Sequence, residues 1–174
     1  MVGGCDVRTH ELAFISLEQH GLFDSWKKEK AGVIPGEGAA FLVLEGEPAA
    51  AARGARVYAR LGPGSFCASH TRSRKPEALF KTLSGLGCPC PAAVVAAGED
   101  DPATCKDEAA TLETLGIKAD ATIYPKRHLG NLFAAAAPLQ VALAALLTER
   151  FARPVLANCF GYGSEPAAFV LEKA

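Results

Sequence analysis

Three basic residues, Lys126, Arg127 and His128, come just before an alanine-rich stretch, in the segment YPKRHLGNLFAAAAPLQ at 124–140. Asn131 is a good N-cap for the helix that we predict after it. The basic side chains would then lie near a helix N-terminus, which is a place where anions bind. A solvated basic loop explains the same residues, and spacing alone does not separate the two interpretations.

A glycine-rich stretch, PGEGAAFLVLE at 35–45, places an acid between two glycines just before an apolar run. Gly36 and Gly38 permit a tight turn or a close approach of two backbones. Glu37 is either a functional acid or an anchor for a hydrogen bond or an ion pair. We favour the anchor.

A second glycine-rich stretch, NCFGYGSEPAAFVLE at 158–172, alternates glycines with aromatic residues. Phe160 and Tyr162 could be presented to a pocket by a mobile loop. The alternative is an ordinary hairpin turn with exposed aromatic side chains, and from the residues alone we favour this alternative.

The spacing of the cysteines argues against a metal site. Cys88 and Cys90 form a Cys-Pro-Cys with no second pair nearby, so no zinc pattern is present. The others are single residues: Cys5, Cys67, Cys105 and Cys159. We predict free thiols, no metal and no cofactor.

The composition narrows the class of protein. The chain has 174 residues, a net charge of -1 and a pI near 6.4, which does not suggest a nucleic-acid groove or an anionic membrane surface. The most apolar stretch, 132–147, is interrupted by Pro138 and Gln140, so no membrane span is predicted. With no secretory signal visible, we predict a cytoplasmic protein.

The hydrophobic pattern predicts a single α/β domain, with a mixed sheet layered with helices and a C-terminal β-hairpin. The predicted helices are 9–22 closed by Gly21, 76–84, 106–115, and a helix after Asn131 with Pro138 in its first turns or at a kink. The predicted strands are 38–45, 55–61, 92–98, 121–124, 153–158 and 166–173. We predict irregular structure at 61–76, and we expect the alanine-rich helix to be buried because it is apolar nearly all round.

These motifs together resemble the β-ketoacyl synthase family, which has the thiolase-like fold. GEGAAFLVLEGEPAAAARGARVYARL at 36–61 is similar to the family's Gly-Glu-Gly-Ala strand and Ala-Arg-Gly-Ala turn. NCFGYGSEPAAFVLEK at 158–173 is similar to its terminal Asn-x-Phe-Gly-Phe-Gly-Gly-x-Asn-Ala hairpin. The stretch from Lys126 is similar to its Lys-x-x-x-Gly-His helix start. MVGGCD at 1–6 looks like a strand that follows the nucleophilic cysteine, so the resemblance implies that this nucleophile is absent.

The first catalytic histidine of the family also has no counterpart. In the family it follows a buried strand in a His-Gly-Thr-Gly-Thr segment. Here Gly98 matches the first glycine, Ala97 stands in the place of the histidine, and Asp100 and Asp101 replace a glycine and a threonine. Glu108 falls on a family acid.

The second catalytic histidine is replaced by Asn131. Lys126 and Gly130 match the Lys-x-x-x-Gly-His pattern, whereas His128 lies two residues before the glycine. An asparagine amide can donate a hydrogen bond to an oxyanion, but it cannot act as a cation or a proton carrier. The resemblance therefore implies that the chain lacks the groups for Claisen condensation.

The resemblance assigns further roles by position. The acyl pocket and its aromatic gate would be formed by Phe160, Gly161, Tyr162 and Gly163. Structural roles would fall to Gly36, Glu37, Gly38, Glu108, Gly130 and Asn158. Ser164 and Pro166 depart from the family's terminal motif.

The implied function is a non-catalytic, chain-length-factor-like subunit of fatty acid or polyketide biosynthesis. It would pair with a ketosynthase, or with a separate first half, and shape its acyl pocket. The alternative is one half of a split synthase or acyltransferase whose nucleophilic cysteine comes from a partner chain. Residues 1–50 would correspond to the end of the family's first half and residues 51–174 to the second half.

The resemblance also implies partners. The family packs its two halves into five layers, so a lone second half would expose an apolar face of helices that a partner, or a second copy, would cover. An acidic acyl carrier protein could meet the basic residues, although such residues are more often simply solvated. These basic residues are Arg72, Arg74, Lys75, Lys126 and Arg127.

Overall fold

The apolar runs of the chain after residue 60 form one mixed five-stranded sheet, seen in a computed structural model that describes residues 1–21, 33–68, 75–88, 90–98, 102–160 and 165–174. The strands are β1 (Val2–Asp6), β2 (Gly38–Leu42), β3 (Arg60–Phe66), β4 (Ala93–Val95), β5 (Ala121–Ile123), β6 (Val155–Phe160) and β7 (Pro166–Glu172). The helices are α1 (Glu11–Gln19), α2 (Glu47–Ala52), α3 (Lys75–Ser84), α4 (Pro102–Thr114), α5 (Lys126–Leu129) and α6 (Ala136–Leu147).

The large sheet has the strand order β3-β7-β6-β4-β5. Strand β4 runs parallel to both β5 and β6, and β7 runs antiparallel to β6 and β3. Every residue of β4 and β6 is buried, because helices cover both faces of the sheet. The predicted α/β class and the C-terminal hairpin are confirmed.

Two hydrophobic clusters hold this sheet between its helices. On one face, Leu79 and Leu83 of α3 pack with Leu156 and Val170 of the sheet. On the other face, Ala144 of α6 packs with a second set of strand side chains, Val95, Val155, Ala157, Cys159 and Leu171. The successive residues of β6 therefore serve two cores, as expected for a strand covered on both sides.

Strands β1 and β2 form a separate antiparallel pair, which we call the ribbon (Val2–Asp6 and Gly38–Leu42). Its Gly4 lies so close to the turn before α6 that a Cβ atom there would be 2.1 Å from the Ala134 carbonyl oxygen. Ala40 on the neighbouring strand is also buried. One face of the ribbon is thus anchored to the start of α6.

The prediction of a strand at 55–61 was wrong. The strand is β3, Arg60–Phe66, within the segment that we expected to be irregular, and α2 occupies the alanine-rich connection before it. Among the strands that the structure describes, β3 pairs only with β7, and its register shifts between Leu61 and Gly64. An edge strand with a bulge tolerates Pro63, which has no N–H to donate.

Helix α6 begins at Ala136, with Pro138 in its first turn as predicted, but it is only partly buried. A single stripe made of Ala136, Gln140 and Ala144 is buried, and Leu146 is half exposed. The helix is apolar all round, so its remaining sides carry apolar surface that this chain covers only in part. Among the described residues, no helix is long and apolar enough to cross a membrane.

Candidate functional site

The loop 96–98 leaves the carboxyl end of β4, and side chains from three different helices hold its backbone. The N–H groups of Ala97 and Gly98 donate to the Glu108 carboxylate on α4, at 3.1 to 3.3 Å. The carbonyl oxygens of Ala96 and Ala97 accept from Gln140 on α6 and Lys126 on α5. The loop is fixed in one conformation by groups that are far apart in the sequence.

Glu108 is the centre of this arrangement. It is 3% exposed, and besides the two backbone N–H groups it accepts a 2.6 Å hydrogen bond from Nδ2 of Asn158 on β6. Burial raises the pKa of the Glu108 carboxyl above its ordinary value, while the hydrogen bonds and the charge of Lys126 act in the opposite direction. The carboxylate is fully engaged in holding protein groups.

Lys126 does not belong to a basic anion site. It opens α5, a helix of one turn, and its side chain is buried with Nζ donating to the Ala97 carbonyl oxygen. Arg127 lies 4.0 Å from the centre of the Tyr124 ring, and His128 is exposed. The hypothesis that these three residues form an anion site at the N-terminus of the long helix was wrong, because the chain makes a separate turn there.

Gln140 and Cys105 are contacts of the loop that we did not predict. Gln140 donates to the Ala96 carbonyl oxygen at 2.9 Å, and the Cys105 thiol donates to that of Gly98. Gln140 has a signal in the sequence, because it is a lone polar residue within an apolar helix. Cys105 gives no such signal, since cysteine is common in cores without any polar role.

Asn131 is placed by a close approach of two backbone segments. Its N–H donates to Ile34 O at 2.7 Å, and its carbonyl oxygen accepts from the N–H of Gly36 at 2.9 Å. Gly130 has φ 70° and ψ -177°, and a Cβ atom there would be 2.8 Å from the Ile34 carbonyl oxygen. Both glycines are needed for this approach, which fixes Asn131 just after α5.

The Asn131 side chain accepts a hydrogen bond from the chain two residues on and does not cap the long helix. Its Oδ1 accepts the Phe133 N–H at 2.8 Å, at the start of a short 3-10 turn that leads into α6. Phe133 has φ 47°, in the left-handed region that side chains rarely adopt. Arg8 lies over the Phe133 ring at 5.2 Å. The prediction that Asn131 caps the following helix was wrong, because Ala135 is the N-cap of α6 and Leu132 is that of the 3-10 turn.

Phe160 ends β6 and is buried in the core cluster that also holds Ala97 and Val94. Packing accounts for this aromatic side chain, and the gate role that the resemblance assigns to it stays a prediction. Asn158, also on β6, is completely buried. The predicted pocket residues Gly161, Tyr162 and Gly163 lie outside the described residues, as do Ser164, Asp100, Asp101, Arg72 and Arg74 and the side chain of Lys75.

Glu37 and Gly38 lie at the start of β2, away from the loop 96–98. Glu37 is exposed and accepts a hydrogen bond from the Thr9 hydroxyl. A Cβ atom on Gly38 would make ordinary contacts with Leu132 at 3.6 Å, so this position does not require glycine for space. Gly36, where a Cβ atom would be 2.3 Å from Leu129 O, is the glycine that the close approach requires.

A groove of about 530 Å³ lies between α4 and β5, on the outer side of the loop 96–98. Its lining includes Cys105, Glu108, Leu112, Ile117 and Tyr124. The hydrogen bonds of Glu108 are directed to protein groups, and the lining of the groove also includes the polar residues Glu113, Lys118 and Thr122. Within the described residues, no three of His, Cys, Asp and Glu cluster as a metal site would require.

The six cysteines are all free. Cys159 on β6 is buried, and burial raises the pKa of its thiol to about 12, although the charge of Lys126 acts in the opposite direction. A thiol with that pKa is almost entirely protonated at neutral pH, and it is the thiolate that acts as a nucleophile. Cys159 is therefore a poor nucleophile in the folded protein.

We expect Cys159 to resist alkylation by iodoacetamide at pH 8 in the folded protein, whereas the exposed Cys5 and Cys90 react. Peptide mass spectrometry after timed labelling measures this directly. Unfolding in denaturant is the control, because all six cysteines should then react alike. Rapid native labelling of Cys159 would contradict the assignment.

No protein-family model and no curated protein matches the sequence. Solved structures do match. A structure described as a type II PKS acyl-carrier protein in complex with its ketosynthase bound to the hexaketide (AntDE:AntF) superposes with a TM-score of 0.83 and 15% identity, over 98% of this chain and 55% of that one. The chain has the fold of half a β-ketoacyl synthase.

Two further ketosynthases agree with this result. A β-ketoacyl synthase from Burkholderia phymatum gives a TM-score of 0.78 at 20% identity, over 99% of this chain and 54% of that one. The oxazolomycin ketosynthase domain of Streptomyces albus gives 0.80 at 17% identity, over 99% of this chain and 41% of that one. The chain thus spans about half the length of the ketosynthases it matches, and the predicted thiolase-like half is confirmed.

Proposed function

We propose that this chain is a non-catalytic ketosynthase-like subunit, which pairs with a ketosynthase or with a separate first half and shapes the acyl pocket in fatty acid or polyketide-type biosynthesis. The observation that carries the proposal is the loop 96–98. Its backbone is held by Glu108, Lys126 and Gln140, yet the side chain that it positions is the methyl group of Ala97.

Condensation requires groups that stabilise a developing oxyanion and move protons. Ala97 can do neither. Asn131 has an amide whose oxygen is already engaged with Phe133 N–H, and an amide does not exchange protons near neutral pH. On the alignment that the resemblance implies, the two positions of the family's imidazoles are Ala97 and Asn131, and neither carries an acid or a base.

The retained scaffold supports a role in shape. A buried carboxylate such as Glu108 is costly unless its hydrogen bonds are satisfied, and here it holds the loop together with Asn158. A chain that needed only a stable core could fill this space with apolar side chains. We assign to the loop 96–98 the role of a rigid wall of the acyl pocket, because its backbone is held in one conformation at the carboxyl end of β4.

The test is an acyl-transfer assay with radiolabelled malonyl and acyl thioesters of an acyl carrier protein. We expect no labelling of this chain and no condensation, either for the wild type or for the double variant Ala97→His with Asn131→His, since two imidazoles do not supply a nucleophile. Covalent labelling of any of its six cysteines would overturn the proposal.

The same assay, repeated with a ketosynthase added, separates a pocket-shaping subunit from a split enzyme. If this chain shapes the pocket, adding it changes the length of the products of an active ketosynthase. A ketosynthase whose catalytic cysteine has been replaced stays inactive when this chain is added. The split synthase predicts that a partner which carries only the nucleophilic cysteine gains activity when this chain is added. We also propose that the chain binds an acyl carrier protein. Binding is measured by adding carrier protein to the complex of this chain with a ketosynthase.

A further inference from the structure

The Cys-Pro-Cys motif at 88–90 lies at the opposite end of β4 from the loop 96–98, because it precedes this strand and the loop follows it. Backbone hydrogen bonds fix the chain just after the motif. The N–H of Ala92 donates to Pro154 O at 2.7 Å, and the N–H of Asp120 donates to Ala92 O at 3.1 Å. The motif therefore meets the segments that lead into β5 and β6, and the proposed function does not use this end of the sheet.

The two thiols of the motif have different surroundings. Cys90 is exposed, whereas Cys88 is partly buried against the hydrophobic cluster that contains Leu79 and Leu83. Burial raises the pKa of the Cys88 thiol, and the charges of Cys90 and Glu172 act in the same direction. Because the thiolate is the nucleophile, a partly buried and protonated thiol attacks a dissolved reagent slowly. Cys90 is therefore the thiol that a reagent meets first.

A cation lies close to the exposed thiol. Arg153, which comes just before β6, forms an ion pair with Asp120. Asp120 is the main cause of the raised pKa of the Arg153 guanidinium, and the negative charge of a Cys90 thiolate adds to this effect. The guanidinium and the Cys90 sulfur thus lie within electrostatic range of each other. A cation in this place attracts an anionic reagent to the thiol.

The sequence spacing keeps the two cysteines within reach of each other. Two residues of extended chain span at most about 7 Å between Cα atoms. A disulfide needs a Cα separation of about 4.4–6.8 Å, so the limit set by the spacing overlaps the range that a disulfide requires. An exposed disulfide is also readily reduced again, so a bond at this surface would be reversible.

We propose that Cys90 and Cys88 form a reversible thiol-modification site that reacts with an anionic low-molecular-weight disulfide of the glutathione type. The Cys90 thiolate attacks one sulfur of glutathione disulfide, which gives a mixed disulfide and releases one glutathione thiolate. Cys88 then loses its proton to water, and its sulfur attacks that of Cys90, which gives the Cys88–Cys90 disulfide and releases the second glutathione thiolate. Two protein thiols are oxidised and one disulfide is reduced to two thiols. This site is separate from the loop 96–98, so the inference does not depend on the proposed function.

The test exposes the full, reduced chain to glutathione disulfide, stops the reaction with acid at timed intervals and measures peptide masses. The peptide that contains both cysteines should first gain one glutathione and then lose it, to end two hydrogens below the mass of the dithiol. Modification of Cys90 should be about tenfold faster than that of Cys5, which is exposed but has no second cysteine two residues away. Dithiothreitol should restore the dithiol.

Three variants separate the steps. Cys88→Ser should keep glutathione on Cys90 as a stable mixed disulfide, whereas Cys90→Ser should slow modification of the peptide about tenfold. Arg153→Ala should slow the first step about threefold, since the cation that attracts the reagent is lost. The matched control is Arg56→Ala, because Arg56 is also exposed and ion-paired, with Glu149 at 2.9 Å, and its loss should leave the rate unchanged. Circular dichroism checks that each variant is folded.

A wild-type chain that stops at the mixed disulfide would overturn the inference, and so would a disulfide between Cys90 and any cysteine other than Cys88. Equal rates at Cys90 and Cys5 would show that Cys90 is only an exposed thiol, and would also overturn it. Equal rates for Arg153→Ala and Arg56→Ala would contradict the part assigned to the cation. The acyl-transfer assay shares no readout with these measurements, so this inference and the proposed function can fail separately.

Discussion

Replacing Glu108 by alanine should lower the free energy of unfolding by roughly 3–5 kcal/mol, because three buried donors lose their acceptor at once. The donors are the N–H groups of Ala97 and Gly98 and the side-chain amide of Asn158. Denaturant unfolding followed by circular dichroism measures the loss. Glu113→Gln is the control, since Glu113 is exposed on the same helix and its replacement should change stability little.

The variant Glu108→Gln tests the state of ionisation. Because burial raises the pKa of Glu108 above 4.5, the folded protein keeps this proton to higher pH than the unfolded chain does. The stability linked to Glu108 is therefore complete below about pH 4.5 and declines as pH rises through the raised pKa. The wild type should lose its advantage over Glu108→Gln from acid to neutral pH, and a pH-independent difference would contradict a raised pKa.

Replacing Gly130 by alanine should cost about 3 kcal/mol, since strain and a clash add together. The backbone at φ 70° and ψ -177° is a conformation that is nearly confined to glycine, and the added Cβ atom would be 2.8 Å from the Ile34 carbonyl oxygen. The loss of stability is measured by denaturant unfolding. We also expect the substitution to displace Asn131, which follows Gly130 directly.

The matched control for Gly130→Ala is Gly116→Ala. Gly116, after α4, has φ 66°, but nothing lies within 4 Å of its added Cβ atom. That variant carries the backbone cost alone, about 1–2 kcal/mol. Equal losses at the two positions would show that the close approach to Ile34 contributes nothing.

The buried strands were predictable from sequence, whereas the edge strand β3 was not. The run of apolar residues around Val94 has no polar face, and only burial on both sides explains such a run. Strand β3 contains Gly62, Pro63 and Gly64, which are signals of a loop. It forms because β7 pairs with it along one edge, and this tertiary contact is invisible to local pattern.

The site divides in the same way. The resemblance assigned Ala97, Glu108 and Asn131 by position, and the structure places Glu108 against the loop of Ala97. The role of Lys126 could not be read from its basic neighbours, because its acceptor is a backbone carbonyl 29 residues away. Every residue has a backbone carbonyl, so the sequence does not show which one accepts a hydrogen bond. The contacts that hold the loop are therefore visible only in the structure.

The place of β7 in the sheet constrains how the chain can fold. Strand β7 lies between β3 and β6, although it follows every other strand in the sequence, and Arg60 pairs with Glu172. The sheet cannot be completed until β7 has been synthesised, so the apolar faces of the earlier strands stay exposed until then. Contacts at such long sequence separation slow folding and favour aggregation of incomplete chains, and a chaperone or a partner that covers β3 and β6 during synthesis would raise the yield of folded protein.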